Sequence, residues 1–364
     1  MPTKFLDSVG GKLAEKWVAT LLTPAFIFWA GGTVVVLQHI GWQTISAWFT
    51  QQPDPLQIAI LVAAFALIAA SGFVAQRFDL SVLRFLEGYW YPWLRPIRRW
   101  LIAQEAHRSR RISDRWQQLN TLNTKAQQFT AIDLTQLTPQ QRDDAIDLIC
   151  LQQNRPRTGK QPLKKLPPPK LAKRVLIAIA ELKDELATLD WRQHHLPLPD
   201  QLMPTRLGNI LRAAEQRPLE KYGLDAIICW SRLWLLLPDA VKQELQTARA
   251  DLNTAARVWL WSMLFMGWGV WAVGSIALGL TSGLWPIPLG LILGLWPIPV
   301  GLTSAFFAYR WAIAAATLYG DLIDATFDLY RRLLYDSLRW SLPPDPDEER
   351  RVGRELTEYL WRGF

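Results

Sequence analysis

Charged and apolar residues are separated along this chain into long blocks. With histidine counted as neutral, residues 17–76 contain one charged side chain, Asp54, and residues 258–309 contain none. An apolar helix of about 20 residues is long enough to cross the hydrocarbon core of a bilayer. Each neutral block has room for two such helices and a turn between them. The pattern therefore predicts two transmembrane helical hairpins.

We expect an all-α membrane protein with four spans and a helical cytoplasmic region. The spans are predicted over residues 17–40, 57–75, 258–280 and 289–312. The predicted segments are a cytoplasmic N-terminal segment (1–16), a first hairpin (17–76), a cytoplasmic helical region (77–257) with a basic, proline-rich linker (155–174), a second hairpin (258–312) and C-terminal cytoplasmic helices (313–364). A buried hairpin in a soluble protein is the alternative for either block, and the length of the blocks argues against it.

Basic residues flank the predicted hairpins on one side. Lys16 precedes the first span, Arg77 follows the second, and Arg257 and Arg310 flank the second hairpin. The connectors inside both hairpins contain neither Lys nor Arg. Basic loops are retained on the cytoplasmic side of a membrane. The sequence therefore predicts a multi-pass protein of the cytoplasmic (inner) membrane, with both termini and the central region in the cytoplasm.

Composition agrees with this placement. The chain has 20 tryptophans and a net charge of +8. Tryptophan is enriched at membrane interfaces, and Trp42, Trp48, Trp259, Trp261 and Trp311 all lie near predicted span ends. Lys and Arg on the cytoplasmic side account for the positive charge. Nucleic-acid binding is the competing interpretation of that charge, and we expect no nucleic-acid partner.

Aromatic and basic residues alternate directly after the second predicted span. Rings at the headgroup level and guanidinium groups on lipid phosphates suit a membrane surface. Such a segment could also stack nucleic-acid bases, but its position next to a span favours lipid. The bilayer and its anionic headgroups are therefore predicted partners, and the candidate headgroup contacts are Arg84, Trp90, Trp93, Arg95, Arg98 and Arg99.

A Leu-Trp-Pro-Ile-Pro motif occurs twice in the second neutral block, at 284–288 and 295–299. Proline removes a backbone donor and breaks or kinks a helix. One interpretation is a broken helix that lines a pore or binding site. The other is a local duplication, in which the first copy forms the outer turn and the second kinks the fourth span. The candidate residues in both cases are Pro286, Pro288, Pro297 and Pro299.

Three acidic residues share one face of an amphipathic helix predicted over residues 318–340. Asp321, Asp324 and Asp328 are spaced so that they lie together on that face. They could attract cations near the cytoplasmic mouth of a span, or they could form a solvated face with local ion pairs. His194 and His195 occur together elsewhere, but a metal site needs more ligands nearby, so no metal site is predicted.

Local signals predict several cytoplasmic helices. Thr138-Pro139-Gln140-Gln141 has the spacing of a capping box. A helix that starts at Asp239 should run unbroken into the third span, as a rod able to transmit motion. Asp345 should start a last helix with an apolar stripe that docks on the cytoplasmic region. The apolar stretch 224–237 is too short to cross a bilayer and should pack against neighbouring helices or the interface.

Two sequence blocks support a family resemblance. One is Pro-Thr-Arg-Leu-Gly-Asn-Ile-Leu-Arg-Ala-Ala-Glu at 204–215, with Lys-Tyr-Gly-Leu-Asp at 221–225. The other starts with Tyr-Gly-Asp-Leu at 319–322 and ends with Glu-Tyr-Leu-Trp-Arg-Gly at 358–363. Together they resemble an uncharacterised family of bacterial polytopic membrane proteins, in which these blocks bracket the second hairpin. The resemblance implies this architecture and no activity, cofactor or site.

Enzyme signatures are missing from the sequence. It contains no Walker A, GxSxG, HExxH or GxGxxG motif, and Cys150 and Cys229 have no CxxC spacing. We therefore expect no catalytic residue and no cofactor. The favoured hypothesis is a non-enzymatic membrane scaffold, sensor or effector whose cytoplasmic region binds a protein partner or self-associates. An oligomeric ion channel or pore is the alternative, and a lipid-acting membrane enzyme is the second alternative.

Overall fold

The computed structural model describes residues 23–130, 134, 137–153, 163–277 and 294–363. This part of the chain is helical and contains no strand, which confirms the all-α class. The helices are α1 (Thr23–Ile40), α2 (Trp42–Thr50), α3 (Asp54–Arg77), α4 (Asp79–Glu87), α5 (Arg95–Thr130), α6 (Pro139–Gln152), α7 (Pro168–His194), α8 (Arg206–Tyr222), α9 (Ala226–Leu236), α10 (Asp239–Ala277), α11 (Pro297–Ser337) and α12 (Pro346–Arg362).

The helices α1 and α3 form an antiparallel pair. Trp29 near the start of α1 donates a hydrogen bond from its indole nitrogen to the Ser71 hydroxyl near the end of α3, over 3.1 Å. Ala25 and Ala75 are buried together with Trp261 of α10. Trp261 is thus a packing residue and not part of an interfacial belt. Most other apolar side chains of α3 face outward, which suits a helix surrounded by lipid.

Two or three helices have the length and apolar character to cross a membrane. They are α3, the apolar end of α10, and α1 with α2 if that bent pair counts as one span. The pair bends by 102° at Gly41, whose φ is +88°. The four predicted spans are therefore supported only in part. Residues 1–22 and 278–293 lie outside the described residues. The structure therefore describes only part of the first, third and fourth predicted spans.

The helices α10 and α11 are long, antiparallel and in contact along their length. Ser262 donates to Ser304 over 2.8 Å at one level, and the Arg249 guanidinium lies 5.5 Å from the centre of the Tyr319 ring at another. The prediction of an unbroken helix from Asp239 is confirmed. The predicted boundaries at 257/258 and 312/313 lie inside these helices, so they mark a change of polarity and not a break in structure.

The second copy of the Trp-Pro motif begins α11. Pro297 is the first residue of this helix, and Pro299 lies in the same first turn. Proline is tolerated there because the first amides of a helix have no partner inside the helix. Pro297 and Pro299 thus lie at a helix start. Residues 289–293 of the predicted fourth span lie outside the described residues, so a kink or a broken helix at these prolines stays a prediction. Pro286 and Pro288 lie outside the described residues.

Two hydrophobic clusters organise most of the helices outside the apolar part of the molecule. The end of α5 packs with α6 and α7 around buried residues such as Leu119, Ile146 and Leu182. The helices α9 to α12 surround a second cluster that includes Phe327, Tyr335 and Leu356. The helix α8 contributes Leu207, Ile210 and Leu211 to a further cluster with α4, α10 and α11, and it also contacts α9 and α12. It is the central helix of this region.

Local signals predicted several helix starts correctly. The capping box at Thr138 is present, and the Asp345 side chain accepts the Glu348 amide at the start of α12. The predicted linker 155–174 requires a correction, because α7 begins at Pro168 inside it. Proline suits this first turn, and Leu171 contributes to the cluster of α5, α6 and α7, so burial favours the longer helix. Residues 154–162 lie outside the described residues.

Close backbone contacts fix α8 against its neighbours. A Cβ atom on Gly208 would lie 2.0 Å from the carbonyl oxygen of Glu87, and one on Gly353 of α12 would lie 1.9 Å from that of Tyr222. No larger residue fits at either position without backbone movement. Gly208 belongs to the first of the two blocks that carry the family resemblance, so this block serves to pack α8.

Candidate functional site

The three predicted acidic residues of α11 face α8 and the end of α7. His195 Nε2 lies 3.1 Å from Asp321 Oδ1, and Arg217 donates to Asp324. Lys221 Nζ lies 3.2 Å from both carboxylate oxygens of Asp328, and the Tyr222 hydroxyl donates to the same carboxylate over 2.6 Å. We call this set the α8–α11 ion-pair interface. Each of its acids has a partner outside α11, and Asp321 and Asp328 are exposed whereas Asp324 is buried.

Arg217 and Asp324 form the buried centre of this interface. Both residues are at least nine-tenths buried. Arg217 Nη2 and Asp324 Oδ1 have no hydrogen-bond partner among the described residues. Burial lowers the pKa of Arg217 to about 10, against the opposing fields of Asp321, Glu220 and Asp328. Arg217 therefore stays cationic at neutral pH and neutralises Asp324.

His194 lies at the rim of the same interface. Its Nε2 is 3.7 Å from Asp324 Oδ2. Burial, together with the positive fields of Arg217 and His195, lowers the pKa of His194 to about 4. The ring is therefore neutral at neutral pH. Between pH 6.5 and about pH 4, the unfolded chain takes up a proton at His194 that the folded protein excludes. The folded protein therefore loses stability as the pH falls through this range.

One group of side chains has ligand atoms close enough together for a metal ion. His194, Asp321 and Asp324 each offer one such atom, and these atoms lie within 4.8 Å of one another. The sequence did not predict this convergence, because the two aspartates are far from the histidine along the chain. The Arg217 guanidinium already donates to Asp324, so a divalent ion would compete with a fixed cation for that carboxylate.

A polar cavity of about 530 Å³ adjoins the interface. It lies between α7 and α8, and its lining includes His194, Arg217, Glu220 and Lys221. Both signs of charge are present on its walls. The ion-pair interface is thus reachable from solvent along α8, which gives a small charged ligand or a partner side chain access to Arg217.

The predicted headgroup residues form an exposed surface after α4. Arg84, Trp93, Arg95 and Arg99 are exposed, and Trp93 is 74% exposed. Trp90 is held more firmly, because its indole nitrogen donates to the Phe85 carbonyl oxygen over 2.8 Å. Arg98 is half-buried. An exposed aromatic and basic surface suits the headgroup level. Contact with lipid remains a prediction.

A second cavity lies in the apolar part of the molecule, between α1, α10 and α11. Its volume is about 280 Å³, and apolar side chains such as Phe28, Phe265 and Val300 form most of its wall. The hydrogen-bonded pair Ser262 and Ser304 supplies polar groups. An acyl chain or another apolar molecule would match this lining.

Large apolar side chains are also exposed on the helices of the second hydrophobic cluster. Ile227 and Leu235 of α9, Leu329 of α11 and Trp361 of α12 are each about two-thirds exposed or more, and Leu235 is 76% exposed. These helices surround one hydrophobic cluster, to which α9 contributes Cys229 and Leu233. A contiguous patch of such groups would suit a surface that binds another protein.

One signal in the sequence could have identified the partners of the acidic stripe. Arg217 and Lys221 are spaced four residues apart on α8, and Asp324 and Asp328 have the same spacing on α11. Matched i, i+4 charges on two helices indicate a register between them. No family model, no curated protein and no solved structure matches this chain, so its resemblance to bacterial membrane proteins stays a prediction.

Proposed function

We propose that this chain is a multi-pass inner-membrane protein that links a cytoplasmic binding event to the arrangement of its membrane helices. It has four spans in two hairpins, with both termini in the cytoplasm, and it acts as a sensor, effector or scaffold without chemistry of its own. The observation that carries the proposal is the pair α10 and α11. Both helices run from the apolar part into the cytoplasmic cluster without interruption.

An ion pair between a buried arginine and a partly buried aspartate marks the level at which polarity changes. Arg257 of α10 bonds through two nitrogens to both carboxylate oxygens of Asp79 at the start of α4, over 3.1 and 2.5 Å. Bidentate pairs of this kind fix geometry as well as charge. The pair ties the first hairpin to α10 at the inner surface. A shift of α10 would therefore move the end of α3 as well.

The partner-binding part of the proposal is supported by the exposed apolar residues of α9, α11 and α12. They lie on the cytoplasmic cluster into which α10 and α11 extend. A partner seated there would contact the elements that continue into the membrane. A second copy of this chain or another cytoplasmic protein would suit the surface. The headgroup residues would hold this surface close to the bilayer.

Cysteine labelling tests the membrane placement. In a cysteine-free background, Gln51→Cys on the outer connector should react with an impermeant maleimide in intact cells. Ser341→Cys should react only after the inner membrane is permeabilised. The protein should also stay in the membrane fraction after a carbonate wash. Recovery in the aqueous fraction without detergent, or labelling of Ser341→Cys in intact cells, would contradict the proposal.

Crosslinking and sizing of the detergent-purified protein test the binding surface. We expect a protomer count above one, or a co-purified partner, that is lost in Leu235→Arg. Leu176→Arg is the matched control, because Leu176 is also an exposed leucine but lies on α7. A strict monomer that crosslinks to nothing in the membrane would count against this function, as would equal behaviour of the two variants.

A pore is the second candidate, and one observation favours it. The 102° bend between α1 and α2 is the geometry of a broken span or re-entrant segment. Planar-bilayer recording on purified protein tests it. Single-channel steps that change in Gly41→Ala would support a pore, because the bend needs the positive φ of Gly41. Absence of current at all voltages would contradict a pore.

A further inference from the structure

A narrow, basic crevice lies where the first turn of α8 meets α5 and α7. Arg108, Arg192 and Arg206 line it from three different helices. Glu105, the acidic residue of the described lining, is paired with Arg108 at 3.5 Å. Among the described residues no acid forms an ion pair with Arg192 or Arg206. The lining therefore has an excess of positive charge.

An unpartnered buried donor belongs to the same crevice. Asn209 is 1% exposed and lines it. The Asn209 Oδ1 atom accepts the Met203 amide over 2.7 Å, which fixes the orientation of the side chain. Its Nδ2 then has no acceptor among the described residues. Buried polar groups are nearly always hydrogen-bonded, so this donor points to an acceptor that the chain itself does not provide.

The start of α8 adds to the positive potential. Arg206 is the first residue of the helix, after the Thr205 cap, and helix N-termini attract anions. Burial, with the neighbouring charges of Arg108, Arg310 and Arg192, lowers the pKa of Arg206. Four arginines from four helices thus repel one another here. A bound anion would relieve this repulsion and satisfy Asn209.

The position of the crevice indicates the source of the anion. Arg310 is the first charged residue of α11 after an uncharged stretch that begins at Pro297. The crevice therefore lies beside the predicted inner surface of the membrane. We propose that it binds a phosphate group, presented either by an anionic phospholipid of the inner leaflet or by a soluble phosphate ester. Arginine forks match phosphate oxygens in geometry.

The small volume of the crevice limits how much of a phosphate group can enter it. Its volume is about 30 Å³, close to the share of one water molecule in the liquid. One phosphate oxygen enters and accepts from Asn209 Nδ2. The other oxygens stay at the mouth, where the exposed Arg108 and Arg192 reach them. A headgroup would thus bind by its phosphate while its acyl chains remain in the bilayer.

Thermal unfolding of the full-length protein in neutral detergent, followed by tryptophan fluorescence, tests the proposal. The probes are phosphatidylglycerol, phosphatidylcholine, and inorganic phosphate against chloride at equal ionic strength. We expect phosphatidylglycerol, phosphate, or both to raise the melting temperature. The concentration for half the effect should rise about tenfold in Arg206→Gln and in Arg192→Gln. Arg110→Gln, an exposed arginine outside the crevice, should match the wild type.

The probes separate the two sources. An effect of phosphatidylglycerol without one of phosphate assigns the site to lipid, and an effect of phosphate without one of phosphatidylglycerol assigns it to a soluble ester. An effect of both supports recognition of the phosphate group itself. The lipid source rests on the membrane placement proposed above, whereas phosphate binding does not, so the two can fail independently. Arg192 is exposed, so its variant decides the question if Arg206→Gln does not fold. Equal responses to all probes, or variants that respond like Arg110→Gln, would overturn the proposal.

Discussion

The two halves of α11 pack against the rest of the protein in different ways. Its apolar half contacts α10 through small residues, including Gly301, Ala305 and Ala308. Its more polar half uses large side chains such as Phe327 and Tyr335, together with the acids of the α8–α11 ion-pair interface. In lipid, burial of apolar surface gives no driving force between helices, so close approach of backbones replaces it. In water, apolar burial and neutralised charge hold the helices together.

The two halves of α11 should therefore be destabilised by different kinds of substitution. A close backbone contact fails when volume is added. A buried ion pair fails when one partner is removed, because the other charge stays in a poor solvent. One helix therefore contains two kinds of contact that can be broken separately, and the variants below do so.

The largest loss is expected from Arg217→Ala. It leaves the Asp324 carboxylate buried without its cation, which should lower the free energy of unfolding by about 3–5 kcal/mol. Lys221→Ala is the matched control one turn further along α8, because its pair with Asp328 is largely exposed. It should cost less than about 1 kcal/mol. Thermal unfolding in detergent measures both, and equal losses would contradict the assignment of a buried centre.

A smaller loss is expected from Gly301→Ala in the apolar half. The new Cβ would lie 2.5 Å from Met266 Cγ and 2.7 Å from the Ser262 carbonyl oxygen, so α10 and α11 must separate. Overpacking of this kind costs about 1–3 kcal/mol. Gly267→Ala on α10 has no neighbour within 4 Å and should be neutral or stabilising. If both variants unfold alike, close packing does not hold this half together.

The smallest effect is expected at Glu87, the last residue of α4. Burial raises the pKa of this carboxyl to about 7, and Glu215 adds to the shift while Arg249 and Arg84 oppose it. Between pH 4.5 and about 7 the folded protein holds a proton that the unfolded chain releases, so stability falls as the pH rises. Glu87→Gln should stabilise the protein by about 1–2 kcal/mol at pH 8 and have little effect at pH 4.5.

The control for this effect is Glu220→Gln, since Glu220 is exposed on α8. Its melting temperature should follow the wild type at both pH values. A gain for Glu87→Gln that is the same at pH 4.5 and pH 8 would show that the substitution acts through packing and not through the proton.

Local chemistry made much of the fold predictable. Helix starts at Thr138 and Asp345 follow from caps, which need no knowledge of the tertiary structure. The continuity of α11 was missed, because Arg310 ends the apolar block while the following alanines favour continued helix. Hydropathy reports the surroundings of a helix and not its ends.

Only the acidic side of the α8–α11 ion-pair interface was predictable from the sequence. The spacing of Asp321, Asp324 and Asp328 shows that they share a face, but their partners come from α7 and α8, far away along the chain. The arginine crevice has the same origin, since Arg108, Arg192 and Arg206 meet only after three helices pack. Such sets are created by tertiary contacts, so a single sequence shows their members without showing that they meet.

The length of α10 converts a small tilt at one end into a large displacement at the other. At 1.5 Å per residue, its 39 residues extend about 58 Å. A tilt of about 5° at the membrane end would displace the opposite end by about 5 Å, the height of one helical turn. Under the membrane placement proposed above, a change of bilayer thickness too small to alter any contact within the lipid would thus displace the helices at the other end of α10 by a distance that another protein could detect.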